Sequence, residues 1–93
     1  MTQLQLSQLQ KGQTAQIIEI SESFLHGESI LPQGELERRL LEMGFAEGSP
    51  VTLMHEGPFG KDPIVVLIRS CYLVALRRQE ASAIRVKINE EEK

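Results

Sequence analysis

The apolar positions change period along the chain, and each change marks an element. Near the start, Leu6 and Leu9 lie three apart and Lys11-Gly12 follows, which predicts one helical turn stopped by glycine. Over 14–21, Ala15, Ile17, Ile18 and Ile20 make a β-branched run, which predicts a strand buried on much of both faces. Leu36, Leu40 and Met43 then recur at the spacing of one helix face and predict a helix over 35–43. Glu35 and Glu37 favour its N-terminus. Arg38 with Glu42, and Glu35 with Arg39, can pair four apart on its outer side. Gly44 is its stop, and Phe45 is placed to fold back as the cap contact.

Past Gly48-Ser49-Pro50 the period becomes two. Val51, Leu53 and His55 alternate with Thr52, Met54 and Glu56. Gly57 to Pro63 reads as a hairpin connection, and Ile64 to Ile68 as the central strand. Arg69-Ser70-Cys71 is a turn. Tyr72, Val74 and Leu76 alternate with Leu73, Ala75 and Arg77, and Ile84, Val86 and Ile88 with Ala83, Arg85 and Lys87. About five short strands and one helix result. Short strands avoid exposed edges by closing, so the fold class is mainly β: a small SH3-like barrel with the helix packed at an open end.

Length adds that 93 residues make one domain, 1–93, with a core over about 6–88 and an acidic tail at 89–93. Aromatic residues are 4% of the chain, so the core must rest on Leu, Ile, Val and Met. No apolar run reaches the roughly 20 residues of a membrane span. The start lacks signal-peptide character, and Cys71 has no partner for an internal disulfide, so the chain reads as cytoplasmic. A net charge of −3 weighs against nucleic acid as a partner.

Taken together in order, several of these segments resemble the FeoA (ferrous iron transport protein A) family. Arg38-Arg39-Leu40-Leu41-Glu42-Met43-Gly44-Phe45 with Gly48 and Val51 is similar to its helix-and-turn signature. Pro63-Ile64 resembles the start of its central strand. Ala75-Leu76-Arg77-Arg78, then Glu80-Ala81, Ile84 and Val86, resembles its C-terminal signature, and Leu6, Leu9, Gly12, Ala15 and Ile17 its opening. The resemblance implies an SH3-like barrel acting beside a membrane iron transporter of the FeoB type, which carries a cytosolic GTP-binding domain. Two departures stand out. The loop over 21–34 is long for the family, and Ser70 stands where members often carry glycine.

Chemistry separates the possible roles. There is no nucleophile elbow, P-loop or dinucleotide fingerprint, and the chain reads as a protein that catalyses no reaction. Histidine and cysteine supply three candidate metal ligands, His26, His55 and Cys71, without HxxxH or CxxC spacing. Fe2+ or another divalent transition metal would have to use them, and none is assigned as a ligand. Phe59, on a Gly-Pro-Phe-Gly tip, cannot easily reach its own core and is a candidate partner contact, or a contact with a second copy of the chain. Phe24 and Leu25 in the 22–34 loop are further candidates. So are Arg77 and Arg78, one of which could serve a GTPase as an arginine finger, against the plainer reading of a strand-end pair in salt bridges. The reading is an accessory protein of ferrous iron uptake that binds the transporter, with a metal sensor or carrier, or a barrel module partnering a metal-dependent repressor, as alternatives.

Overall fold

The computed structural model describes residues 2–24 and 34–88. In chain order the strands are β1 (Thr2–Gln5), β2 (Thr14–Ile20), β3 (Pro50–Glu56), β4 (Ile64–Ile68), β5 (Tyr72–Leu76) and β6 (Ile84–Ile88), with helices α1 (Glu35–Glu42) and α2 (Arg78–Ala81). They form one antiparallel sheet in the order β1-β6-β2-β3-β4-β5. Among the described residues β1 and β5 are not paired with each other, so the sheet is unclosed and has six strands rather than about five.

The additional strand is β1, Thr-Gln-Leu-Gln, whose single half-buried apolar residue, Leu4, shows no period. Its place is fixed by backbone pairing to β6, from Thr2 opposite Ile88 to Gln5 opposite Arg85. The turn expected after it is one turn of 3-10 helix, Leu6–Gln8, with Leu6 and Leu9 in the core.

Two bulges explain where the expected alternation fails. Between Ile17 and Glu19 the register of β2 on β6 shifts, leaving Ile18 as the extra residue. Ala15 and Ile17 are buried, and Ile20 faces buried Ile84. The consecutive isoleucines therefore mark a bulge, not a strand buried on both faces. In β3 a shift between Leu53 and His55 does the same. Val51 and Leu53 point into the core, and His55, expected on their face, is exposed opposite Val65.

The core gathers Val51, Leu53, Ile64, Val66, Ile68, Ile84 and Val86 from the sheet with Leu36, Leu40 and Phe45 from α1 and its cap. Methionine contributes little: Met43 packs at the margin, and the large central side chain is Phe45, fully buried. The helix ends as the sequence predicts. Gly44 is left-handed at φ +111°. Its N–H donates to the Leu41 carbonyl at 3.1 Å, and the Phe45 N–H donates to that of Leu40 at 3.1 Å. On the helix surface Arg38 takes both acids, Glu35 at 2.6 Å and Glu42 at 3.7 Å, so Glu35 pairs three residues on rather than with Arg39.

The β4–β5 turn is built with side chains in left-handed conformations. Arg69 and Ser70 have φ of +56° and +59°, and the Cys71 N–H donates to the Ile68 carbonyl at 3.0 Å. Each non-glycine residue held there costs roughly 1 kcal/mol, so Ser70 carries strain that glycine would avoid.

The start of α1 is held by a residue that its own sequence does not contain. The Glu22 carboxylate accepts the N–H groups of Gly34 at 3.1 Å, Leu36 at 2.9 Å and Glu37 at 3.1 Å. Glu37 returns the bond, accepting the Glu22 N–H at 2.8 Å. A carboxylate there satisfies the free amides and suits the positive end of the helix dipole. The hydrogen bond from Gly34, opposed by desolvation and helped by those from Glu37 and Leu36, lowers the Glu22 pKa below its ordinary 4.5. A lowered carboxyl pKa gives stability that is fully present above the unfolded value and is lost as pH falls through the folded one. Glu22→Gln is therefore expected to be less stable than the parent at pH 7, with the gap closing on acidification below about 4.5. Denaturant unfolding across that range checks it, and a gap independent of pH contradicts it.

Candidate interaction surface

The connection over 57–63 is tight because two backbones meet inside it. The Gly57 N–H donates to the Pro63 carbonyl at 2.7 Å, and the Phe59 N–H donates to that of Asp62 at 3.3 Å. A Cβ on Gly57 would stand 2.5 Å from the Asp62 carbonyl oxygen, so only glycine allows this approach. The result is a closed loop whose tip residue, Phe59, is 81% exposed.

Arg78 locks the loop from below. Its Nε donates to the Lys61 carbonyl at 2.8 Å, and its backbone N–H to Asp62 Oδ1 at 2.9 Å. Nη2 meets Glu56 Oε2 at 3.0 Å with both side chains mostly shielded, 25% and 21% exposed. Nη1 donates to the Ser7 carbonyl. One guanidinium thus joins the N-terminal 3-10 turn, the end of β3 and the loop to α2. The fork of donors on arginine makes this possible; lysine has no such geometry.

Arg77 differs. It precedes α2 rather than continuing β5, its N–H donates to Glu80 Oε1 at 2.9 Å, and it is exposed. Because Leu76 lies opposite Ile64, Arg77 sits at the same end of the sheet as the loop carrying Phe59.

Phe24 lies elsewhere. It is half-buried, with the Arg85 guanidinium 4.3 Å from its ring centroid and its carbonyl accepting Gln5 Nε2 at 3.0 Å. Leu25 and His26 are outside the described residues, as is most of the 22–34 loop. His55 and Cys71 are both exposed but are not brought together. His55 lies opposite Val65 within β4, whereas Cys71 lies in the turn beyond Ile68, where β4 ends. Among the described residues no three His, Cys, Asp or Glu side chains form a group that could hold a metal ion. Sequence reasoning missed Glu22 as the cap of α1 and the internal role of Arg78. An Arg after a strand and an acid ending the facing strand are too common a pattern to reveal it.

The FeoA domain family model matches residues 4–88. The chain belongs to the FeoA domain family. A relative of this FeoA chain is the Fe(2+) transport protein A/Fe(2+) transporter FeoB fusion protein of Porphyromonas gingivalis, 32% identical over 85 residues. That match covers 91% of the chain but only 9% of the fusion protein's length. Among solved structures, Stenotrophomonas maltophilia FeoA complexed with zinc, described as a prokaryotic SH3 domain protein, superposes with TM-score 0.71 at 27% identity. The match covers 90% of this chain and 89% of that one. A manganese-dependent transcriptional repressor with manganese gives TM-score 0.76 at 22% identity over 96% of this chain and 38% of its own. At that identity the likeness is one of fold alone. The SH3-like fold expected from the sequence is thus borne out. Among the described residues no helix is long and apolar enough to cross a membrane.

If Arg78 supports the FeoA loop and Arg77 does not, truncating them has unequal effects. Arg78→Ala is expected to lower stability by about 2 kcal/mol, as for hydrogen bonds to a charged group, and to speed amide exchange at Gly57 and Phe59. Arg77→Ala is expected to stay within about 0.5 kcal/mol of the parent. Denaturant unfolding and hydrogen exchange check both, and equal losses contradict the assignment.

Proposed function

We propose that this FeoA chain is a cytoplasmic accessory protein of ferrous iron uptake that docks on the cytosolic part of a FeoB-type transporter and catalyses no reaction itself. The observation that carries this reading is the fusion relative, in which an Fe(2+) transport protein A and a FeoB transporter occupy one chain at 32% identity to this one. Fusion raises the effective concentration of two modules for each other, which is useful where they work in contact.

The surface fits such a role. Phe59 is exposed on a loop closed by backbone hydrogen bonds and by Arg78, so little freedom is lost when it is covered. Rigid aromatic side chains are common anchors at protein interfaces. Arg77 supplies an exposed positive charge at the same end. Phe24, held against Arg85, is a second candidate contact.

Binding of the chain to the isolated cytosolic domain of a FeoB-type transporter, with GDP and with a GTP analogue, tests this. Saturable binding is expected, weakened about tenfold or more by Phe59→Ala, in line with a single interface anchor. Absence of binding in both nucleotide states contradicts the docking partner, and unchanged binding by Phe59→Ala contradicts the contact.

A further inference from the structure

The β5 edge is built without the features that usually protect an edge. Among the described residues no strand lies beyond it. An edge presents a row of unpaired N–H and C=O groups, and proteins blunt it with charge, proline or a bulge. Tyr72-Leu73-Val74-Ala75-Leu76 has no charge and no proline. Its pairing with β4 runs in unbroken register from Ile64 opposite Leu76 to Ile68 opposite Tyr72. At the other edge, β1 is four residues long with three polar side chains.

The side chains of β5 are exposed as well as apolar. Tyr72 is 60% and Leu73 63% exposed, and Ala75 is exposed. On the solvent face Leu73 lies beside Leu67 and Ala75 beside Val65, both half-buried, so the edge continues into an apolar shelf. The charged residues next to it in sequence are basic, although the chain is acidic. The net charge is −3, yet exposed Arg69 lies in the turn before the strand and exposed Arg77 directly follows it.

We propose that β5 receives an extended segment of a partner protein by strand addition, and that this segment is apolar in its middle and carries carboxylates at its ends. Main-chain hydrogen bonds supply the affinity in this mode, and alternate side chains and flanking charges supply the choice of partner. The bracketing arginines disfavour a second copy of this chain as the occupant. Antiparallel pairing of two copies over Tyr72–Leu76 would bring Arg77 of each beside the other's turn that carries Arg69, so like charges gather at both ends and repel. The inference deepens the docking reading above and rests on it for the kind of partner.

The test is a titration of the isotope-labelled full chain with two synthetic peptides. Each has five alternating valines and threonines; one carries two glutamates at either end, the other two lysines. Saturable binding of the glutamate peptide is expected, with slowed amide exchange at 72–76 and about tenfold weaker binding of the lysine peptide, the sum of several exposed charge interactions. Leu73→Lys, at an exposed position that does not disturb the core, is expected to abolish peptide binding and to weaken binding of the FeoB-type cytosolic domain. Equal binding of both peptides, no protection in β5, or self-association of the free chain through β5 in sedimentation overturns the proposal. If Leu73→Lys binds the transporter domain normally, strand addition fails while the docking reading stands. If the glutamate peptide binds as described and the transporter domain does not, the docking partner fails while strand addition stands.

Discussion

The arrangement of the surface depends on one side chain. Arg78 ties together segments far apart in sequence: the Ser7 carbonyl, Glu56 at the end of β3, and Lys61 and Asp62 in the connection to β4. Its ion pair with Glu56 is mostly shielded, so the charge is screened less than at an open surface. A charge in that position must be well partnered, because an unpaired one would be costly. The guanidinium meets the requirement by spending its donors on two carbonyls and one carboxylate. The loop over 57–63 therefore has one shape, and Phe59 is held out rather than folded back.

The same division of labour recurs at α1. A helix of eight residues contributes little stability of its own. It is fixed by burial of Leu36 and Leu40, by the Gly44–Phe45 cap at one end, and by the carboxylate of Glu22 at the other. Local sequence chooses the helix, and a residue from another segment fixes where it begins. At both places a polar side chain positions a backbone, while the apolar core sets the overall fold.

This explains what the sequence makes legible. The continuous apolar run of β4, the alternation in β6 and the helix with its glycine stop are read directly, because burial of one face dominates in each, whereas β5 alternates in sequence with only Leu76 buried. The left-handed turn at Arg69–Ser70 was not legible, since serine at position 70 argues against a positive φ there. Nor was the first strand, since an edge strand with one half-buried leucine has no period to detect. The bulges at Ile18 and before His55 were hidden for a related reason: an extra residue shifts the phase of the alternation without changing its composition. At the surface, Phe59 was legible because glycine and proline flank it. The roles of Arg78 and Glu22 were not, since their partners are set by tertiary contacts.

In the docking proposed for this chain, Arg78 acts on the partner through the loop it holds, and Phe59 acts by touching. A double-mutant cycle on binding to the cytosolic domain of a FeoB-type transporter measures this most directly, using Arg78→Ala, Phe59→Ala and the pair. Arg78→Ala is expected to weaken binding on its own and to have almost no further effect once Phe59 is gone, a coupling of about 1 kcal/mol or more. Losses that add to within about 0.5 kcal/mol would contradict it, since the two residues would then act independently.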